Sequence, residues 1–236
     1  MKWQSIIVAL LLCLGTLAWA QNDQTSANQS SAGSTELQKA TEVVEHMSTT
    51  APDKGVPSKV LEGAKCVAVI PKLVKAAFVV GGEHGTGVAT CRTASNNWSS
   101  PAPFSVSGIS WGPQIGGKST GLMMFIMNQQ GMDDLIRGHI KVGADVSAAA
   151  GPVGRNASAE AGWKAGILTY SSSKGAFIGA SLNGAELHAD TRLVRDWYGR
   201  DLSFNDILQG NAQTPNAEAR AFVNAVQNAK ESAQAR

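Results

Sequence analysis

GAKCVAVIPKLVKAAFVVGGEHGTGVATCR, residues 63–92, is the stretch on which the fold depends. Cys66–Ile70 is a short apolar run followed by Pro71. Proline has no amide to give to a ladder, so the run reads as a strand that stops there. Ala76–Val80 is a second apolar run, rich in β-branched and aromatic residues, and it ends at Gly81-Gly82. Glu83-His84-Gly85 reads as a turn and Val88–Arg92 as a returning strand. The stretch is therefore predicted to be a three-strand meander with a cysteine near each end.

Composition sets the context for this meander. A chain of 236 residues is long enough for one domain with a substantial core. With 43% apolar residues, 16% charged residues and 25 glycines, it is globular and turn-rich rather than disordered. Met1–Ala20 has the form of a signal peptide: Lys2, an apolar run from Ile6 to Leu14, and the small-x-small site Ala18-Trp19-Ala20. The apolar run is shorter than a membrane span, and Leu12 disfavours acylation of Cys13. The expected location is periplasmic or secreted. Loss of Lys2 takes the formal charge from +2 to +1. No bulk field then draws the chain to nucleic acid or anionic membrane, and any basic site must be local. Cys66 and Cys91 remain as an even pair in an exported chain, which favours a disulfide over two buried thiols. Closing a loop of that length is worth roughly 3 kcal/mol in the chain-entropy model.

Gln21–Ser34 lacks large apolar residues and reads as a linker. Leu37, Ala40, Val44 and Met47 recur at helical spacing, so Thr35–Met47 is predicted to be an amphipathic helix. A short helix is expected near Pro57–Gly63. Phe104, Val106, Gly108 and Ser110 alternate with Ser105, Ser107 and Ile109, which is a strand pattern. Strands are also expected at Leu122–Met127, Ile140–Val146, Trp163–Tyr170 and Ala176–Leu182, the last two joined by a hairpin through Ser171–Gly175. Met132–Ile136, Asp190–Tyr198 and Phe204–Leu208 read as helices. Thr214-Pro215 is read as a cap and first helical residue, opening a helix to Ala229. Helices, then strands, then helices argue for an α+β domain over residues 35–236. Its sheet is expected to be mainly antiparallel and strongly curved or barrel-like, between amphipathic terminal helices.

Two enzyme motifs occur by pattern. Gly112–Ser119 fits G-x-x-x-x-G-K-[ST], but Gly121 interrupts the helix that must begin at Lys118. Gly108-Ile109-Ser110-Trp111-Gly112 fits G-x-S-x-G, with Asp145 and His188 downstream. Pro113 and Gly116-Gly117 follow that serine instead of a helix. A glycine- and serine-rich chain produces both patterns by accident, so no catalytic residue and no cofactor are expected. His46, His84, His139 and His188 have no ligand spacing along the chain, and no metal site is expected.

The basic residues are more informative. Lys59, Lys65, Lys72 and Lys75 are interleaved with Val60, Leu61, Leu73 and Val74. Pro71–Lys75 reads as a loop, and two readings stand for it. Leu73 and Val74 insert at a bilayer while the lysines meet phosphate, or they pack beneath an ordinary turn. Arg155 after Gly151–Gly154, with Lys174 in its hairpin, is a second anion-site candidate, though a structural turn with a salt-bridged arginine is the reading preferred for it.

The pattern A-K-x-(apolar)-P … G-G-x-x-G-x-G-(apolar)-R resembles the SYLF domain family. The resemblance continues in order through Trp98–Pro101, Gly112–Gly116, Gly151–Arg155, Tyr170–Gly175 and Trp197–Gly199, over about residues 55–210. It implies a non-catalytic lipid-binding module, engaging phosphoinositide-like or other anionic phospholipid headgroups at a membrane surface. Its candidate contacts here are Lys59, Lys65, Lys72, Leu73, Val74, Lys75, Arg155 and Lys174. A structural or partner-binding envelope protein is the alternative. The family has an actin-binding branch in yeast. For an exported, bacterial-looking chain, neither actin nor nucleic acid is expected as a partner.

Overall fold

The computed structural model describes residues 34–50, 54–77, 80–111, 116–154, 165–173, 176–179, 182 and 184–234. The signal-peptide reading and the linker reading up to residue 33 lie outside these residues. A first helix, α1 (34–49), is followed by α2 (Ser58–Gly63) and then by two long strands, β1 (Cys66–Ala77) and β2 (Val80–Cys91). The expected three-strand meander is thus a two-strand hairpin. β1 does not stop at Pro71 but passes through it on a bulge: its register shifts between Val69 and Val74 against β2, and between Ile70 and Leu73 against β4. A bulge is the place in a strand where a missing amide costs least. β2 likewise runs through Glu83-His84-Gly85 without turning, and the reversal falls between Ala77 and Val80.

The chain continues with β3 (Ala102–Trp111), β4 (Gly116–Ile126), α3 (Gln129–Ile136), β5 (His139–Lys141) and β6 (Ala148–Ala150). It ends with β7 (Ile167–Ser173), β8 (Ala176–Gly179), β9 (Ala185–Ala189), α4 (Thr191–Tyr198), α5 (Phe204–Leu208) and α6 (Ala217–Gln234). The nine strands form one sheet in the order β5-β9-β3-β2-β1-β4-β7-β6, with β8 also paired to β7. All pairings are antiparallel except β6 with β7. The sheet curls into a half-barrel, as the glycine-rich strands imply, and among the described residues its outer strands β5 and β6 do not pair with each other. Two of the strands, β6 and β9, were not expected. The alternation Ala185-Glu186-Leu187-His188-Ala189 is the signal for β9.

Both faces of the sheet are covered. Cys66, Ala68 and Ile70 of β1 face a core completed by Leu135 and Ile136 of α3, Val194 of α4, and Phe204, Ile207 and Leu208 of α5. Val67 and Val69 face the opposite core, built with Leu37, Ala40, Val44 and Met47 of α1 and Ala219, Phe222 and Val226 of α6. The terminal helices therefore pack side by side on one face, where their apolar stripes are buried. Helix starts follow local chemistry. Asn128, Asp190 and Ser203 accept from Gly131, Leu193 and Asp206 amides at 2.8, 3.0 and 2.9 Å. The last helix is capped by Asn216, whose side chain accepts from Ala219 at 2.8 Å, and not by Thr214. No helix among the described residues is long and apolar enough to cross a membrane.

Candidate functional site

The bulge decides where the Pro71–Lys75 residues go. It places Leu73 on the same face as Ile70, three positions earlier, and both are fully buried in one core. Leu73 is thus a core residue, and the expected loop with an apolar tip is a strand. Val74 is exposed, as is Lys72. Lys72 lies near Glu36 of α1, whose carboxyl is raised by burial, while Lys39 and Lys72 pull it back down. Lys75 is directly opposite Glu83 in register and 2.6 Å from its carboxylate, which is only 6% exposed. Lys75 therefore neutralises a buried acid. Lys59 is exposed on α2. Arg155 and Lys174 lie outside the described residues.

Lys65 has different company. Cys66 and Cys91 are directly opposite across β1 and β2, joined as a disulfide with Cα atoms 4.0 Å apart. The Cys91 carbonyl accepts from the Ser99 amide at 2.8 Å, and its amide donates to Ser99 Oγ at 3.1 Å. The cysteines are accordingly a non-hydrogen-bonded cross-strand pair, the closer of the two antiparallel arrangements. The next rung is hydrogen-bonded: the Arg92 amide donates to the Lys65 carbonyl at 2.7 Å. Ladder and covalent bond together hold two cationic residues side by side at the open end of the hairpin.

The Arg92 guanidinium lies 4.0 Å from the centre of the Trp98 ring, a cation–π contact. Its Nη1 donates to the Asn96 carbonyl at 3.0 Å. Asn96 is held in the left-handed region, φ 62°, by the tight turn between Arg92 and Trp98. Burial pulls the Arg92 pKa below its ordinary value, and Nη2 is buried with no hydrogen-bond partner among the described residues. Lys65 and Arg92 line a polar cleft of about 410 Å³, with Asn96, Gln129 and Met132 on its other walls and Glu62 as its acidic member. Such a cleft suits a polar anion with several oxygens: Lys65 offers a mobile point charge and Arg92 a fixed planar donor. In the sequence Arg92 closes the expected returning strand and the family pattern; its place one residue beyond Cys91 is the signal for its role at the cleft.

The other motif residues do structural work. Tyr170 is fully buried and its hydroxyl donates to the Pro152 carbonyl at 2.9 Å. A β-carbon on Gly151 would sit 2.0 Å from that ring, so only glycine fits there. The Tyr198 hydroxyl donates to the Pro101 carbonyl at 2.7 Å, and Gly199 closes α4 at φ 65°. Burial raises both tyrosine pKa values. Ser99 and Ser100 join a buried network, with Ser100 Oγ donating to the Ala212 carbonyl at 2.8 Å. The enzyme motifs have no working context. Lys118 and Ser119 lie within β4 rather than at a helix start, and Ser110 lies within β3, opposite Gly81.

Comparison with known proteins places this fold. A family model described as Ysc84, Las17-binding protein actin regulator, matches residues 107–229. LAS seventeen-binding protein 3 of Saccharomyces cerevisiae is 33% identical over 183 residues, covering 72% of this chain and 40% of that protein. SH3 domain-containing YSC84-like protein 1 of Homo sapiens is 30% identical over 177 residues, covering 74% of this chain and 52% of that protein. Protein YSC84 of the same yeast is 32% identical over 183 residues, 72% of this chain and 39% of that protein. The chain thus spans about half the length, or less, of the curated relatives it matches. No solved structure matches it significantly. The family model is described by Las17 binding and actin regulation, one of these relatives is named for binding Las17, and none of the names is an enzyme's. They also correct one expectation: the family is described by Las17 binding and actin regulation, so actin-related protein partners cannot be set aside for it. The chain belongs to the Ysc84, or SYLF-domain, family.

Proposed function

We propose that this chain is a non-catalytic binding module that holds the anionic headgroup of a phospholipid at the Lys65–Arg92 cleft. The observation that supports the reading is the convergence of these two cations, locked by the Cys66–Cys91 rung, on one polar cleft. Lys59 is exposed on α2, the helix that leads into β1. Lys75, tied to Glu83, does not take part, and Leu73 does not insert. The disulfide and the leader-like Met1–Ala20 fit an exported protein meeting a membrane from an oxidising compartment. The test is co-sedimentation with vesicles of neutral phospholipid, with and without an anionic phospholipid, at low and high salt. The expected result is salt-sensitive binding to the anionic vesicles, lost in Lys65→Glu and retained in Val74→Ala. Binding that is absent, or indifferent to Lys65, sinks the proposal.

A second reading rests on the relatives' names: a protein partner of the Las17 or actin type. Co-sedimentation with filamentous actin, without vesicles, distinguishes it from the first.

A further inference from the structure

One edge of the sheet brings His139 against two side chains from much later in the chain, Glu186 and His188. His139 lies on the end strand β5, directly opposite His188 on β9; Lys141 lies opposite Glu186. Because alternate residues of a strand share a face, Glu186 and His188 project from the same side of β9. The two imidazoles stack, with centroids 4.6 Å apart and planes inclined by 29°. Both turn Nε2 toward the same carboxylate oxygen: Glu186 Oε2 is 3.4 Å from His188 and 3.9 Å from His139. The three ligand atoms lie within 4.8 Å of one another. The other oxygen, Oε1, receives Lys141 at 3.0 Å, and the Lys141 backbone amide donates to Asp145 at 2.7 Å. The carboxylate is thereby oriented with its free oxygen toward the histidines, the part a hydrogen-bonded outer partner plays at metal sites.

We infer that His139, Glu186 and His188 form a site for a divalent transition ion of the zinc type. Two imidazole nitrogens and one carboxylate oxygen are a borderline donor set, which suits zinc and its neighbours and not calcium or magnesium. Bonds of about 2.0–2.2 Å around a tetrahedral ion separate ligand atoms by about 3.3–3.6 Å. The 3.4 Å separation is already in that range, and the 3.9 Å one needs only a small rotation of an exposed ring. Two adjacent strands fix the backbone of all three residues. The side chains remain half-exposed, which leaves a coordination position open to water. An ion here would also clip β5, a three-residue strand at the end of the sheet, to β9.

Titration of the chain with zinc chloride by calorimetry tests this, with cobalt chloride as a spectroscopic probe of tetrahedral coordination. One equivalent of zinc is expected to bind and raise Tm, while magnesium and calcium at the same concentration have no effect. His139→Ala and His188→Ala are each expected to weaken zinc binding at least about tenfold, with Glu186→Gln doing the same. His84→Ala, which removes an exposed histidine on β2, should leave it unchanged. Circular dichroism of the metal-free variants verifies that each is folded. Absence of zinc binding to the parent chain overturns the inference. So does binding that survives within twofold in both His139→Ala and His188→Ala, because the ion is then held elsewhere.

Discussion

Leu73→Ala separates the two readings of the Pro71–Lys75 segment with a single stability measurement. Leu73 is fully buried among Ile70, Phe104 and the other residues of its core. A β-carbon on Gly85 would come within 3.3 Å of Leu73 Cδ1, so the backbone of β2 closes tightly over it. Removing the isopropyl end of the side chain forfeits its transfer free energy and leaves a cavity that two ladder-bonded strands cannot easily collapse. The expected cost is about 2–5 kcal/mol. For a domain of this size that lowers Tm by roughly 5–15 °C. Val74→Ala is the internal control: its side chain is 41% exposed, and the expected change is within about 0.5 kcal/mol. Urea unfolding followed by far-ultraviolet circular dichroism gives both values under one protocol. A membrane-inserting tip would show the reverse pattern, with little change in stability for either variant and loss of vesicle binding for both. If Leu73→Ala costs less than about 1 kcal/mol, or no more than Val74→Ala, the bulge argument fails and Leu73 is not part of the core.

Lys75→Met strips the buried Glu83 of its ion-pair partner and is expected to destabilise by about 3 kcal/mol, with the Lys75→Met/Glu83→Gln double variant recovering most of it in the same urea assay. Reduction of the Cys66–Cys91 bond, or Cys66→Ala/Cys91→Ala, opens a cross-link between residues 25 apart and should cost about 3.5 kcal/mol by loop entropy; it should also weaken vesicle binding, because the rung that aligns Lys65 with Arg92 is lost. Glu36→Gln should raise Tm at pH 7 and not at pH 3.5. The folded-state pKa of Glu36 lies above its ordinary 4.5, so protonation favours the fold; that contribution is complete below pH 4.5 and lost as pH rises through the folded value. A thermal scan of the parent and variant at both pH values checks the sign, and a destabilised variant at pH 7 would show that the Lys39 and Lys72 attractions outweigh burial.

Sequence reasoning reached the fold class because periodicity survives translation into structure. Leu37, Ala40, Val44 and Met47 are all buried, and Phe104 and Val106 alternate inward as their spacing requires. It failed where a local rule met a longer-range constraint. Pro71 ends a strand by propensity, but β1 is an inner strand paired on both sides, and a bulge carries the proline through. Glu83-His84-Gly85 has turn chemistry, but ten consecutive pairings to β3 keep β2 straight past it. The ion pair of Lys75 was invisible because cross-strand register depends on where the hairpin reverses, and that point was placed wrongly. The same error put Lys72 and Lys75 together on one loop beside Lys59 and Lys65, when the structure sends Lys65, Lys72 and Lys75 to three different environments.

The motifs that carry the family resemblance can now be divided by what they touch. The prolines and aromatics from Trp98 to Pro101, at Pro152 and Tyr170, and at Trp197-Tyr198 pack into the framework: two tyrosine hydroxyls each donate to the carbonyl of a motif proline. They specify how a strongly curled sheet packs against its helices, and a chain can keep them whatever it binds. Arg92 belongs to both groups, because its guanidinium rests on the motif tryptophan while it lines the polar cleft with Lys65. A residue that is half framework and half surface can transmit the fold to a ligand without any moving part. Charge on the surface of this domain is cheap to place, but a cation held by a ladder bond, a disulfide and an aromatic ring is fixed before any ligand arrives.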